Sequence, residues 1–184
     1  MKVCFSGGAK GSDYIWSKLA SHHGYQIKIL SFDNHRVHRG TPGEVIRLSD
    51  KQLEEGIPFL KKANRKLERT FPSSSEHVNN LLLRNYCQLK NSNQVVAIGT
   101  LDPDRRIVSG GTGRAVQMAI DLRVPTFVYD QALEMWLVWT HWFDKFDEIW
   151  EPPKLLDKFT GIGTRKVKKC GIHAAISVFE RNTL

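Results

Sequence analysis

Apolar residues recur along this chain at two spacings, about two and about 3.6 residues, and the switches between them mark alternating strands and helices. Residues 1–5 read as a first strand that leads into a helical pattern through Ala20, with Tyr14, Ile15, Leu19 and Ala20 expected to face a sheet. Ser12 and Asp13 suit the cap of that helix, and Gly24 suits its end. Residues 26–32, 94–98 and 124–129 are further apolar runs bounded by turn formers, as buried strands require. Helical spacing returns at residues 77–89, 115–122 and 171–180. On the first of these, Leu81, Leu82, Leu83 and Tyr86 make an apolar side, and Asn79, Asn80, Arg84 and Asn85 a polar one.

Between residues 44 and 71, Leu48, Leu53, Ile57, Leu60 and Leu67 stand among many charges, which predicts amphipathic helices broken at Gly56-Ile57-Pro58. The aromatic-rich stretch from Met135 to Phe143 alternates as one or two short strands or a hairpin would, covering an edge of the core. Glu151-Pro152-Pro153 is a stiff connector to a final β-turn-α unit. Strands alternating with helices predict an α/β fold, a Rossmann-like and mostly parallel sheet with helices on both faces. We expect a single domain over residues 1–184, with residues 158–184 completing its sheet.

Composition narrows the class. Hydrophobic content of 41% and charged content of 25% are ordinary for a soluble globular protein. No apolar stretch approaches the roughly 20 residues of a membrane span, and the start lacks the pattern of a secretory signal, so a cytoplasmic protein is expected, without a membrane partner. Cys4, Cys87 and Cys170 are odd in number and far apart, which fits small buried side chains in a reducing compartment. No histidine stands at metal-ligand spacing from cysteine or acid, so neither zinc nor a cofactor is expected. Formal net charge is +8, from 27 Lys and Arg against 19 Asp and Glu, which attracts phosphates. The basic residues are scattered without interleaved aromatics, so a small anionic ligand is favoured over a nucleic-acid groove.

Three glycine-rich stretches carry the candidate chemistry. Ser6-Gly7-Gly8-Ala9-Lys10-Gly11-Ser12-Asp13 follows the first strand, Val108-Ser109-Gly110-Gly111-Thr112-Gly113-Arg114-Ala115 precedes the helix at 115–122, and Phe159-Thr160-Gly161-Ile162-Gly163-Thr164-Arg165 precedes the last helix. Glycine lets backbone approach an anion closely, and the free N–H groups and dipole of a helix start favour a phosphate. Loops leaving the carboxyl ends of parallel strands share one edge of a sheet, so all three can face one crevice at the point where strand order reverses. Residues 33–43, with His35, Arg36, His38 and Arg39, follow the second strand and can overhang the same crevice.

The first stretch resembles the SGGAxGxD signature of the SLOG superfamily, the Rossmann-like nucleotide-binding proteins that include DprA-type proteins and the LOG phosphoribohydrolases. Val108 to Ala119 resembles that superfamily's second glycine motif, and residues 159–165 are similar to the TGIGSR segment of phage-associated members. The resemblance spans nearly the whole chain. It implies a SLOG-type domain in circularly permuted order, because the TGIGSR strand opens the domain in those relatives and closes it here. The LOG enzymes carry PGGxGTxxE, whose glutamate serves hydrolysis of an N-glycosidic bond. Aligned from Ser109, that glutamate falls on Gln117, and an amide is no general base, which favours binding over catalysis.

The expected function is therefore capture of a nucleotide or nucleotide-derived signal, such as an ADP-ribose derivative, by a sensor or sequestering protein, with a role in phage–host conflict as its extension. No catalytic residue is assigned. Backbone amides at Gly7, Gly8, Gly110, Gly111, Gly113, Gly161 and Gly163 are expected on phosphates, with Arg114, Arg165 and Arg84 adding charge. Ser6, Lys10, Thr112 and Thr164 belong to the same loops, and Asp13 and Gln117 would read a ribose or base edge. The alternatives are a nucleoside or nucleotide N-glycosidase using Asp13 or Asp130, and a DNA-binding accessory protein. A homodimer is a candidate assembly, through the aromatic stretch.

Overall fold

The computed structural model describes residues 1–104 and 106–181. Eight strands and six helices follow one another as β1 (Val3–Ser6), α1 (Ser12–His22), β2 (Gln26–Ser31), β3 (Glu44–Arg47), α2 (Asp50–Glu54), α3 (Ile57–Lys66), α4 (Glu76–Leu89), β4 (Gln94–Gly99), α5 (Gly110–Asp121), β5 (Thr126–Asp130), β6 (Met135–Thr140), β7 (Lys145–Ile149), β8 (Lys158–Gly163) and α6 (Lys169–Arg181). They form one sheet in the order β3-β2-β1-β8-β4-β5-β6-β7. Every neighbouring pair from β3 to β5 is parallel, and only β6 runs against its neighbours. This is a mostly parallel, Rossmann-like α/β sheet.

Helices cover both faces, because strands buried on two sides alternate their apolar side chains between two cores. Val95 and Ala97 of β4 pack with Leu60, Leu83, Val116 and Met118 from α3, α4 and α5. Val96 and Ile98 pack on the other face with Trp16 and Ala20 of α1 and Ala175, Val178 and Phe179 of α6.

The last strand lies in the middle of the sheet, pairing with β1 on one side and β4 on the other. Its sequence suits that place. Phe159 is fully buried, the bare Cα of Gly161 lets the Trp16 side chain lie against the strand, and Trp16 Nε1 donates to the Ile162 carbonyl at 3.2 Å. On the opposite face Thr160 Oγ1 lies 2.5 Å from Ser92 Oγ and donates to the Gln88 carbonyl, so the one polar side chain at mid-strand is paired.

Several details differ from the sequence reading. Residues 44–47 form an edge strand rather than part of a helix, since Val45 and Ile46 pair with Ile29 and Leu30 of β2. In α1 it is Trp16, fully buried, that carries the packing, while Tyr14, Ile15 and Leu19 are half-buried. Ser12 and Asp13 lie inside that helix, whose N-cap is Gly11. The break at residues 56–58 falls between α2 and α3, with Pro58 in the first turn, where its missing N–H costs no helical bond. The aromatic stretch is β6 of an antiparallel hairpin with β7, with Trp136, Leu137 and Phe146 buried and Trp142 exposed at the tip. Among the described residues, no helix is long and apolar enough to cross a membrane.

Candidate functional site

From β1 the chain moves outward to β2 and β3, and from β4 it moves outward the opposite way to β5, β6 and β7. The order thus reverses between β1 and β4, with β8 filling the gap, and the carboxyl ends of these three strands sit side by side. A crevice at such a reversal is the usual ligand site of an open α/β sheet. Here it is a cleft of about 500 Å³ bordered by all three glycine-rich stretches and by α4. Asp13 and Ala9 come from the first, Gly110, Gly111, Thr112 and Arg114 from the second, Gly163, Thr164 and Arg165 from the third, and Arg84 from α4.

The stretches are tied to one another. Ser12 donates to the Thr164 carbonyl through both its N–H, at 3.1 Å, and its Oγ, at 2.8 Å. The Thr164 N–H in turn donates to the Ile98 carbonyl of β4 at 2.8 Å. Arg84, only 5% exposed, reaches across from α4 and donates from Nη1 to the Gly7 carbonyl at 2.6 Å. It is a buried tether instead of one half of a surface ion pair.

The turn after β1 is filled by its own residues. Gly8 N–H donates to Ser6 Oγ at 3.1 Å, and Ala9 N–H to Asp13 Oδ2 at 3.4 Å. A Cβ on Gly7 would overlap the Arg84 guanidinium, and one on Gly11 would meet the backbone of Thr164 and Arg165. Lys10 points to a neighbouring hollow, outside the central cleft. Burial raises the Asp13 carboxyl above its ordinary range, opposed chiefly by Arg84 and then by the loop N–H groups. Burial lowers Arg84, with Asp13 pulling the other way. His35, bonded to Ser31 Oγ and 3.5 Å from Arg84 Nη1, is driven down to about 4 by burial and then by Arg84, so it is neutral at pH 7.

The start of α5 is the opposite case. Ser109 is the N-cap, yet no side chain caps the helix and its first turn holds no acidic residue. Nothing lies within 4 Å of where a Cβ on Gly110 or Gly111 would stand. Gly110 has φ +67, a conformation that glycine adopts without the strain a side chain brings. Arg69 donates to the Gly110 carbonyl at 2.6 Å, and Arg114 Nε donates to Asn64 Oδ1 at 2.8 Å. Asn64 is itself 2% exposed and anchored to the Leu60 carbonyl, so Arg114 is held in place beside the helix start. Arg84, Arg114 and Arg165 face one carboxylate, Asp13, around the cleft.

Besides Lys10, the expected ligand residues Ser6, Gly7, Gly8, Gly113, Gln117 and Gly161 are absent from the cleft lining, the first three because they sit in the filled turn after β1. Gly161 sits within the sheet opposite Val96, beneath Trp16. Gly113 is buried within α5, where a Cβ would overlap the Val108 carbonyl. Gln117 is 7% exposed farther along α5 and donates to Asp121 Oδ1, which also holds Lys66. Asp130 accepts from the N–H groups of Leu101, Ala132 and Leu133 and is absent from the cleft lining. Arg69 and Asn64 carried no sequence signal, being one charge and one amide in a stretch full of both. Among the described residues, no group of three or more His, Cys, Asp or Glu is placed to hold a metal ion. Comparison with protein-family models, curated proteins and solved structures found no match to this chain.

Proposed function

We propose that the cleft binds a nucleotide or nucleotide-derived small molecule, such as an ADP-ribose derivative, and that the protein senses or sequesters it. The observation that carries this reading is the uncapped start of α5, whose unobstructed Gly110 and Gly111 border the same cleft as Arg84, Arg114 and Arg165. An anion there gains N–H donors, a helix dipole and charge-assisted bonds together. Thr112 would add a hydroxyl, Asp13 would take a ribose hydroxyl, and Val78 and Leu81 of α4 would wall the base.

In this reading the chain is a permuted member of the SLOG superfamily, acting in nucleotide signalling between phage and host. Its three free cysteines fit the cytoplasm. Trp142 and Trp150, 88% and 94% exposed, support a homodimer.

A second reading, an N-glycosidase, draws on one observation: Asp13 borders the cleft with its pKa raised, as a general acid needs. Asp130 offers it no help, since three backbone N–H groups occupy that carboxylate. Incubating the protein with a panel of nucleotides, then denaturing it and chromatographing the contents, separates the two. Intact nucleotide supports capture, and released free base supports cleavage. Binding to oligonucleotides that falls steeply with salt and ignores mononucleotides would instead favour the DNA-binding alternative.

A further inference from the structure

The cleft continues past Ala9, Leu81 and Arg165, which border two hollows at once, into a second lobe of about 650 Å³ over the end of β2. Lys10, Arg36, Arg39 and three histidines, His35, His38 and His77, line that lobe, and no carboxylate does. Asp33, the acid closest in sequence, is turned away to Arg47 at 2.8 Å. Lys10, Arg36 and Arg39 are exposed and have no ion-pair partner among the described residues.

This loop is fixed to the rest of the site. His38 N–H donates to the Gly8 carbonyl at 2.7 Å, and Thr41 closes a turn onto the His38 carbonyl through both its N–H and its Oγ1. Val37 packs toward Gly8, and the His35 ring stacks on Phe32 at 5.1 Å. The cations therefore rise from held backbone beside the first glycine turn. Like charges gathered without counter-ions repel one another, and an anion between them removes that repulsion.

We propose that this lobe is a second anion subsite, so that the ligand is a nucleotide bearing phosphate groups at two separated positions. One phosphate sits at the start of α5 and the other among Lys10, Arg36 and Arg39, with Arg165 between them. The end of the second strand is where an α/β sheet sorts nucleotides by charge: a carboxylate there takes free ribose hydroxyls, and a cation takes a phosphate on the ribose. The inference rests on the cleft being a nucleotide site.

Titration calorimetry at fixed ionic strength tests it, with each nucleoside 5′-monophosphate compared with its 3′,5′-bisphosphate. The bisphosphate of the preferred base is expected to bind about tenfold tighter. The variant K10A/R36A/R39A is expected to abolish that advantage while leaving monophosphate affinity within about twofold. A control that removes the same charge from α3, K61A/K62A/R65A, is expected to preserve the advantage, with thermal melting confirming that both variants fold. Equal binding of the two ligand types, or equal loss in both triple variants, overturns the second subsite while the nucleotide cleft stands. Tighter binding of an oligonucleotide than of any bisphosphate also overturns it. No binding of any nucleotide overturns both readings.

Discussion

In the turn after β1, Gly7 lies against the Arg84 guanidinium, Gly8 against Ile29 and Val37, and Gly11 against the backbone of Thr164 and Arg165. In the turn that opens α5, Gly110 and Gly111 have open space over them. The two helix starts differ in the same way. α1 already carries an acid, Asp13 in its first turn, whose Oδ2 accepts from Ala9 N–H, whereas α5 has no acid in its first turn and no side-chain cap. A glycine-rich turn marks close approach of something to the backbone. In the first case that something is the protein's own chain, and in the second it is left for a guest. Only the second therefore offers its backbone to a guest in our account, while the first is a brace that lends the side chains of Lys10 and Asp13.

That contrast can be broken at four places. The largest effect belongs to Arg84→Ala, which unties Gly7 and leaves Asp13 buried without the cation that most opposes its burial; we expect a loss of about 3–4 kcal/mol in urea denaturation. Next is Gly111→Asp. A carboxylate at the start of α5 interacts well with the helix dipole, so stability should hold or rise by about 0.5 kcal/mol while nucleotide affinity falls about a hundredfold. Calorimetry and melting on one sample check both halves, and unchanged affinity would remove α5 from the site.

Gly11→Ala should act in the reverse sense. Its φ of +94 and the backbone facing it predict a loss of about 2 kcal/mol in stability, with affinity per folded molecule nearly unchanged. Smallest is the effect of His35. Its folded value near 4 lies below the ordinary 6.5, so between those values the unfolded chain takes up a proton that the folded chain does not. Stability should fall as pH drops through that window, and His35→Gln should flatten the fall, as read from urea midpoints at pH 7 and pH 5.

Much of the architecture was legible in the chain because strand and helix periods differ, and the runs at residues 26–32, 94–98 and 124–129 are long enough to show theirs. β3 was not, since its four residues hold two apolar side chains that suit either period. The contribution of Trp16 was hidden too, because its packing depends on Gly161, 145 positions away. Within the site, the three glycine stretches, Arg84, Arg114 and Arg165 could be picked out by type and place. What could not be seen is which glycines face the protein: Gly113 and Gly161 match Gly111 in kind, and only their neighbours in space separate them. Arg69 and Asn64 reach the start of α5 from a helix and a turn whose docking no local pattern encodes.

The central claim is that a phosphate seats on α5 and leaves the braced turn alone. Amide chemical shifts of ¹⁵N-labelled protein, recorded as nucleoside 5′-monophosphates are added, test it residue by residue. The account predicts the largest shifts at Gly110, Gly111 and Thr112, with Gly8 and Ala9 hardly moved because their N–H groups are already bonded. Shifts centred on Gly8 and Ala9, or no shifts with any nucleotide, would contradict it.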